Sequence, residues 1–422
     1  MLSSLRDFWR RHKKKVFVSA GVLGSGYVLY KLYNAHRQRL DDLERELANE
    51  RKRVDEFVKD QLQSHFENIQ RIADTTTLPH AIQFLSSRIE EELRLSHLTD
   101  RLMQGKGQPN NLTSSEKLEL WDKLKYLSFT RMVLSLWTMT LLSLYIRVQV
   151  NILGRHLYID TARHIGSIHS LLPDLLVGET VVSFSPTFLE GTRANSFSGF
   201  SDTISCLIIS SNGQASRKDD GDLIDRDDQQ KFLACADFLS TNGLSALISN
   251  MQAAVTDVIK GKQLRDFFDT TVLHETIVQI LDTFKSIRSP HLWVDFLMPD
   301  DAHVRELDAS SSSDEAGISD FTKFDLLMLE TRAVISSAKF TNVAEVALKS
   351  VVNELIKEIG IQCGEDNLST GMPLARLLAR VTHVGPILLD EPSKNKFIEA
   401  IKNEPEVEML FTALYSNADV LD

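Results

Sequence analysis

The sequence predicts an all-α fold, an elongated bundle of long helices carried on an N-terminal transmembrane anchor. Three observations predict it. The stretch His36–Ala73 has no proline or glycine, carries charges of both signs, and spaces Leu40, Leu43, Leu47, Val54, Phe57, Val58, Leu62, Phe66 and Ile69 as one helical stripe. Helical periodicity recurs through most of the remaining chain, with one strand-like patch at Ile204–Ile209. At the N-terminus, a dense basic cluster precedes a short uncharged apolar segment. A hydrophobic content of 43% and a charged content of 25% are ordinary for a folded protein.

The anchor comes first. RRHKKK, Arg10–Lys15, precedes VFVSAGVLGSGYVLY, Val16–Tyr30, and Lys31, Leu32 and Tyr33 extend the run to residue 33. That is short against the roughly 20 residues a span requires, but Lys31 can snorkel, and Tyr27, Tyr30 and Tyr33 suit an interface. A signal peptide is disfavoured because no small-residue cleavage site follows, and an interfacial helix because there is no polar face. Gly21, Gly24 and Gly26 do not form a phosphate loop, lacking a preceding strand and a following Lys-Ser/Thr pair. Orientation stays open on residues alone: the basic N-terminus favours a lumenal body, while the unpaired Cys206, Cys235 and Cys363 favour a reducing compartment.

The body follows as residues 34–422. After the long helix, a second helix, broken near Pro79, continues through Ser87–Met103. Gly105–Ser115 is a loop, whose Thr113, Ser114 or Ser115 caps the next helix. In that helix Leu120, Leu124 and Leu127 make the core stripe, whereas Trp121 shares a different face with Leu118 and lies between Lys117 and Lys125. Trp121 is either the edge of the core or a docking anchor, with the lysines as a charged rim. Leu98 and Leu102, on the preceding helix, are placed to line the same groove. Met132–Ile146, bracketed by Arg131 and Arg147, is apolar all round and too short for a second span, which predicts a buried core helix.

Residues from about 162 to 226 are rich in Ser, Gly and Thr and predict a long polar insertion. Helices resume over Asp227–Phe268 and Thr270–Arg288, a second, acidic insertion covers about 300–320, and helices return at Asp320–Ser337, Val343–Gly360, Pro373–Gly385 and Glu406–Ala418.

Composition and motifs exclude several functions. A net charge of −11 argues against a nucleic-acid partner. Three distant cysteines give neither a disulfide framework nor a zinc site, and His274-Glu275 fails the zinc-protease motif because Val278 stands where the second histidine belongs. There is no nucleophile elbow and no kinase signature, so no enzyme, cofactor or metal is expected.

Taken together, RRHKKK, LELWDKLKYLSFTR (Leu118–Arg131), LYIRVQVNILGRHLYID (Leu144–Asp160), DDQQKFLACADFLSTNGL (Asp227–Leu244), LMPDD (Leu297–Asp301), PLARLLARV (Pro373–Val381) and EVEMLFTALY (Glu406–Tyr415) resemble the peroxisomal biogenesis factor three family, the third peroxins. The resemblance implies a membrane-anchored docking receptor for peroxisomal membrane-protein import. It also implies a matrix-facing N-terminus, a single pass, and a cytosolic helical domain. That domain would bind the cytosolic shuttle receptor for peroxisomal membrane proteins, the nineteenth peroxin, through an amphipathic helix of the shuttle. The family's groove tryptophan falls on Trp121, with Leu124, Lys125 and Lys117 beside it and Leu98, Thr99 and Leu102 on the preceding helix. Arg10, Arg11, Lys13, Lys14 and Lys15 resemble its targeting element, and the anchor implies contact with membrane lipid. The insertion at 162–226 departs from the family pattern and inherits no role. A structural organelle tether or membrane-contact adaptor, using the long helix, is the alternative.

Overall fold

The computed structural model describes residues 2–107, 113–171, 224–287, 292–299, 322–364, 368–390 and 394–416. Helix α1 covers Leu2–Ile72, a π-helical turn Ala73–Thr77 follows, and α2 covers Leu78–Glu92. Next come α3 (Ser96–Gly107), α4 (Ser114–Leu171), α5 (Arg226–Ala234) and α6 (Leu244–Ile259). Then come α7 (Thr270–Ser286), α8 (Leu292–Leu297), α9 (Lys323–Ile335) and α10 (Ala338–Cys363). The last three are α11 (Leu374–Leu388), α12 (Lys396–Lys402) and α13 (Pro405–Tyr415). Among the described residues the only strands are β1 (Phe267–Phe268) and β2 (Met372–Pro373), an antiparallel ribbon pairing Phe267 with Pro373 and Phe268 with Met372. The fold is all-α, as predicted.

The chain divides into two units, Met1–Glu67 and Asn68–Asp422. Within the first, the leucines of the sequence stripe are not covered: Leu40, Leu43 and Leu47 are exposed. The second is organised around α4, which packs against α2, α3, α5, α6, α7 and α9 to α13. From Met132 to Ile146 every described side chain is buried, because neighbours surround the helix on all sides. The apolar segment is therefore the centre of the core and not a second span.

A helix buried all round must satisfy its own hydroxyls. Thr138, Thr140 and Ser143 do so by donating to the carbonyls of Leu134, Leu136 and Met139, four residues back, at 2.7–2.8 Å. Its charges are met from other helices. Arg147 donates to Asp74 at 2.8 Å, and Lys402 reaches the other oxygen of the same carboxylate at 2.8 Å. Further along α4, Arg155 and His156 both engage Glu330 of α9, and Arg155 also donates to the carbonyl of Leu414 at 3.1 Å.

The structure corrects or extends the sequence reading at four points. Pro79 does not break its helix. The π-turn just before it bonds Leu78 N–H back to the carbonyl of Ala73, so Pro79 enters at the first positions of α2, where an amide donor is dispensable. The break falls instead at Leu93, with φ −112° and ψ 59°. Second, the helix that opens at residue 114 runs without interruption into the core segment and on to Leu171, ten residues into the insertion predicted from 162. Residues 172–223 of that insertion, with the strand-like patch at 204–209, and the acidic stretch at 300–320 lie outside the described residues. Third, Leu40, Leu43, Leu47 and Phe57 of the stripe along 36–58 are exposed, an outcome its spacing left open. Fourth, the short helices α8 and α12 and the ribbon were not anticipated.

Candidate docking surface

The first turn of α4 is fixed by a reciprocal cap. Glu116 N–H donates to the Thr113 hydroxyl at 3.3 Å, while the Thr113 amide and hydroxyl donate to the Glu116 carboxylate at 2.7 and 2.8 Å. Those bonds, the backbone one first, hold the Glu116 carboxyl below its ordinary pKa. Of the three cap candidates, Thr113, Ser114 and Ser115, the structure uses Thr113, and it sets the start of the helix that carries Trp121.

Around Trp121 the side chains sort into two depths. Leu120 and Leu124 are buried, as is Leu98 of α3, and α3 packs against α4. Trp121 and Leu102 are half-buried. Thr99 is also half-buried and turns its hydroxyl to its own helix, donating to Ser96 O at 2.7 Å. Leu118, three residues before Trp121, is 60% exposed, and Met103, beside Leu102, is 66% exposed. An indole that keeps one side open, with exposed leucine and methionine on the same pair of helices, is an incompletely covered apolar face. Leu118 stands where the sequence placed it, on the face of Trp121. Met103 was not singled out from sequence.

The two lysines differ. Lys117 is half-buried and makes no ion pair among the described residues. Lys125 is 3% exposed, its Nζ donates to the carbonyl of Lys262 at 2.9 Å and meets Asp122 at 3.1 Å, and it lies 4.8 Å from the Tyr126 ring centroid. The segment after α6 covers it, and a carbonyl and a carboxylate replace the water its ammonium would lose. Lys125 is therefore an internal tie and not a charged rim.

Arg10, Arg11, Lys13, Lys14 and Lys15 fall in the opening turns of α1, and their side chains lie outside the described residues. Further along the same helix, Tyr27, Val28, Leu29, Tyr30, Leu32 and Tyr33 are all exposed, which leaves no polar face between residues 27 and 30. Among the described residues no three His, Cys, Asp or Glu side chains gather to hold a metal. Cys235 is buried and unpaired, and burial pushes its thiol up to about 12, far from a reactive thiolate.

The architecture is a helical scaffold with an apolar face left open at its α3–α4 corner, preceded by a helix with an exposed apolar band. The chain belongs to the Peroxin-3 family, whose model matches residues 106–417. It is 50% identical to Peroxisome biogenesis protein 3-2 of Arabidopsis thaliana over 414 residues, 98% of each chain, and 49% identical to Peroxisome biogenesis protein 3-1 of the same plant over 413 residues, again 98% of each. It is 25% identical to Peroxisomal biogenesis factor 3 of Homo sapiens over 366 residues, covering 84% of this chain and 78% of that one. Family membership makes it a peroxisome biogenesis factor of the peroxisomal membrane, in a family of biogenesis factors and not of enzymes.

Proposed function

We propose that the protein is a docking receptor at the peroxisomal membrane: its first helix anchors it, and the Trp121 face receives an amphipathic helix of the cytosolic shuttle receptor that carries newly made peroxisomal membrane proteins. The observation that carries this reading is the half-buried indole of Trp121 with Leu118, three residues before it, and Met103, on the adjoining α3, both exposed. Partly covered tryptophans flanked by apolar side chains are the usual anchors of helix-in-groove recognition. Lys117 at the edge of that face favours a partner with acidic flanks, chiefly through orientation and association rate. The exposed apolar residues from Tyr27 to Tyr33 are stable in lipid and costly in water, which supports a single anchor at 16–33. In this reading the N-terminus faces the matrix and Asn68–Asp422 faces the cytosol.

Titrating the purified shuttle receptor, the nineteenth peroxin, into the detergent-solubilised full chain tests the site. Trp121→Ala should raise Kd by roughly 30-fold or more, as loss of an interface anchor costs about 2–4 kcal/mol, with the thermal midpoint unchanged. An unaltered Kd rejects the site.

A further inference from the structure

The burial of Lys125 has a geometric result. Long side chains on a helix lean back over the preceding turn, and the 3.1 Å approach of Lys125 Nζ to Asp122 shows that this one does. The same Nζ holds the carbonyl of Lys262 at 2.9 Å. The backbone at Lys262 therefore lies over the turn that contains Trp121. It is fixed there from several directions: Lys262 N–H donates to Ile259 O at 3.0 Å, and Gln263 N–H donates to the Asp266 carboxylate at 2.7 Å. The amides of Leu374 and Ala375, which open α11 without a side-chain cap, donate to the carbonyls of Asp266 and Leu264 at 2.8 and 2.9 Å. The turn is thus rigid, and Asp266, its one carboxylate, is occupied within it. Lys260 and Arg265 are exposed, Lys262 is half-buried with its ammonium 5.3 Å from the Phe268 ring centroid, and none of the three makes an ion pair among the described residues. Phe267 stands 70% exposed at the end of the turn.

We propose that this turn, residues 260–266, is a further wall of the docking surface, with Lys262 and Arg265 receiving acidic residues that flank the partner's amphipathic helix. Lys125 is the positioning residue that holds the wall in place and does not itself touch the partner. The proposal rests on the docking reading of the Trp121 face. Charge decides the occupant: cations without ion pairs on a turn tied through Lys125 to the helix that carries Trp121 match a partner helix with an apolar stripe and an acidic edge.

The test uses the full chain in detergent and the purified shuttle receptor, at low and high salt. The double variant Lys262→Glu, Arg265→Glu should weaken binding roughly tenfold at low salt, through the association rate, and the difference should shrink as salt is added. Lys125→Met should also weaken binding, and in the double-variant background it should add little, since a strut has nothing left to position. An additive loss makes Lys125 a direct contact and overturns its assigned role. If Trp121→Ala weakens binding while the double variant does not, the wall is refuted and the docking site stands. If Trp121→Ala also has no effect, both readings fall. A loss confined to vesicles containing anionic lipid, with receptor binding intact, refutes the wall in favour of a membrane contact.

Discussion

Gly243 illustrates how a single residue is constrained in this fold. Its φ of −76° is ordinary for any amino acid, so conformational freedom is not why glycine stands there. A methyl at that Cα would lie 3.1 Å from the carbonyl carbon of Phe296 and closer still to its oxygen. That backbone cannot yield easily, because the Phe296 ring packs 6.3 Å from Trp137 and 6.4 Å from Phe284, which in turn sits edge-on to Trp137 at 5.5 Å. Gly243→Ala should therefore destabilise the protein by about 1–3 kcal/mol, the range for overpacking a core. Gly154→Ala is the comparison: the three atoms nearest its added methyl all belong to the Ile69 side chain, so relief there needs no backbone shift and the cost should be smaller. Chemical denaturation of the two variants checks this, and a Gly243→Ala protein as stable as the Gly154→Ala one would refute the argument. Lys125 shows the limit of sequence reading at this scale. Periodicity placed it correctly one turn from Trp121, but what covers it is a carbonyl 137 residues later, and nothing local encodes that.

At the scale of elements, much was legible. Met132–Ile146 was readable as core because it is apolar on every face and stops at arginines, and the start of α4 was readable from its cap candidates Thr113, Ser114 and Ser115, among which the bonds between Thr113 and Glu116 decide. The π-turn at Ala73–Thr77 was not readable: one inserted residue in a helix has no periodic signature, and the proline after it looked like a breaker. The same turn carries Asp74, which bridges Arg147 of α4 and Lys402 of α12. The contact between α4 and α9 gives a testable consequence. Burial pushes the Glu330 carboxyl upward, but hydrogen bonds from His156 and Arg155 and their charge outweigh it, and the net pKa is lowered. A carboxyl with a depressed folded-state pKa binds fewer protons folded than unfolded. Its contribution is complete above the ordinary glutamate value, about 4.3, and is lost as pH falls through the depressed one. Glu330→Gln should thus lower stability at neutral pH and flatten its fall below about pH 4.5. Thermal midpoints measured from pH 7 to pH 3 check it, and a variant with the parent's acid slope would show that this pair does not couple to folding.

For the whole molecule, the chain divides at Glu67 into two units, and in the proposed reading the first of them is the anchor. The buried apolar residues begin at Ile69 and Ile72 and continue through α2 into α4, whereas Leu29, Leu40, Leu47 and Phe57 are all exposed. Hydrophobic stabilisation follows area removed from water, at about 25 cal/mol per Å², and side chains that stay exposed contribute none of it. A chain starting at Asn68 should therefore keep the cooperative unfolding transition of the full protein, with a thermal midpoint within a few degrees of it. Membrane association should behave in the opposite way. The apolar run ending at Tyr33 is stable only where lipid replaces water, so the full chain should float with liposomes after extraction of peripheral proteins and the shortened chain should remain in solution. Flotation of the shortened chain would mean that Asn68–Asp422 holds a membrane contact of its own, and a large fall in its midpoint would mean that the first helix contributes to folding. With both outcomes excluded, shuttle binding by the shortened chain at the full chain's affinity would show that docking and anchoring are separable.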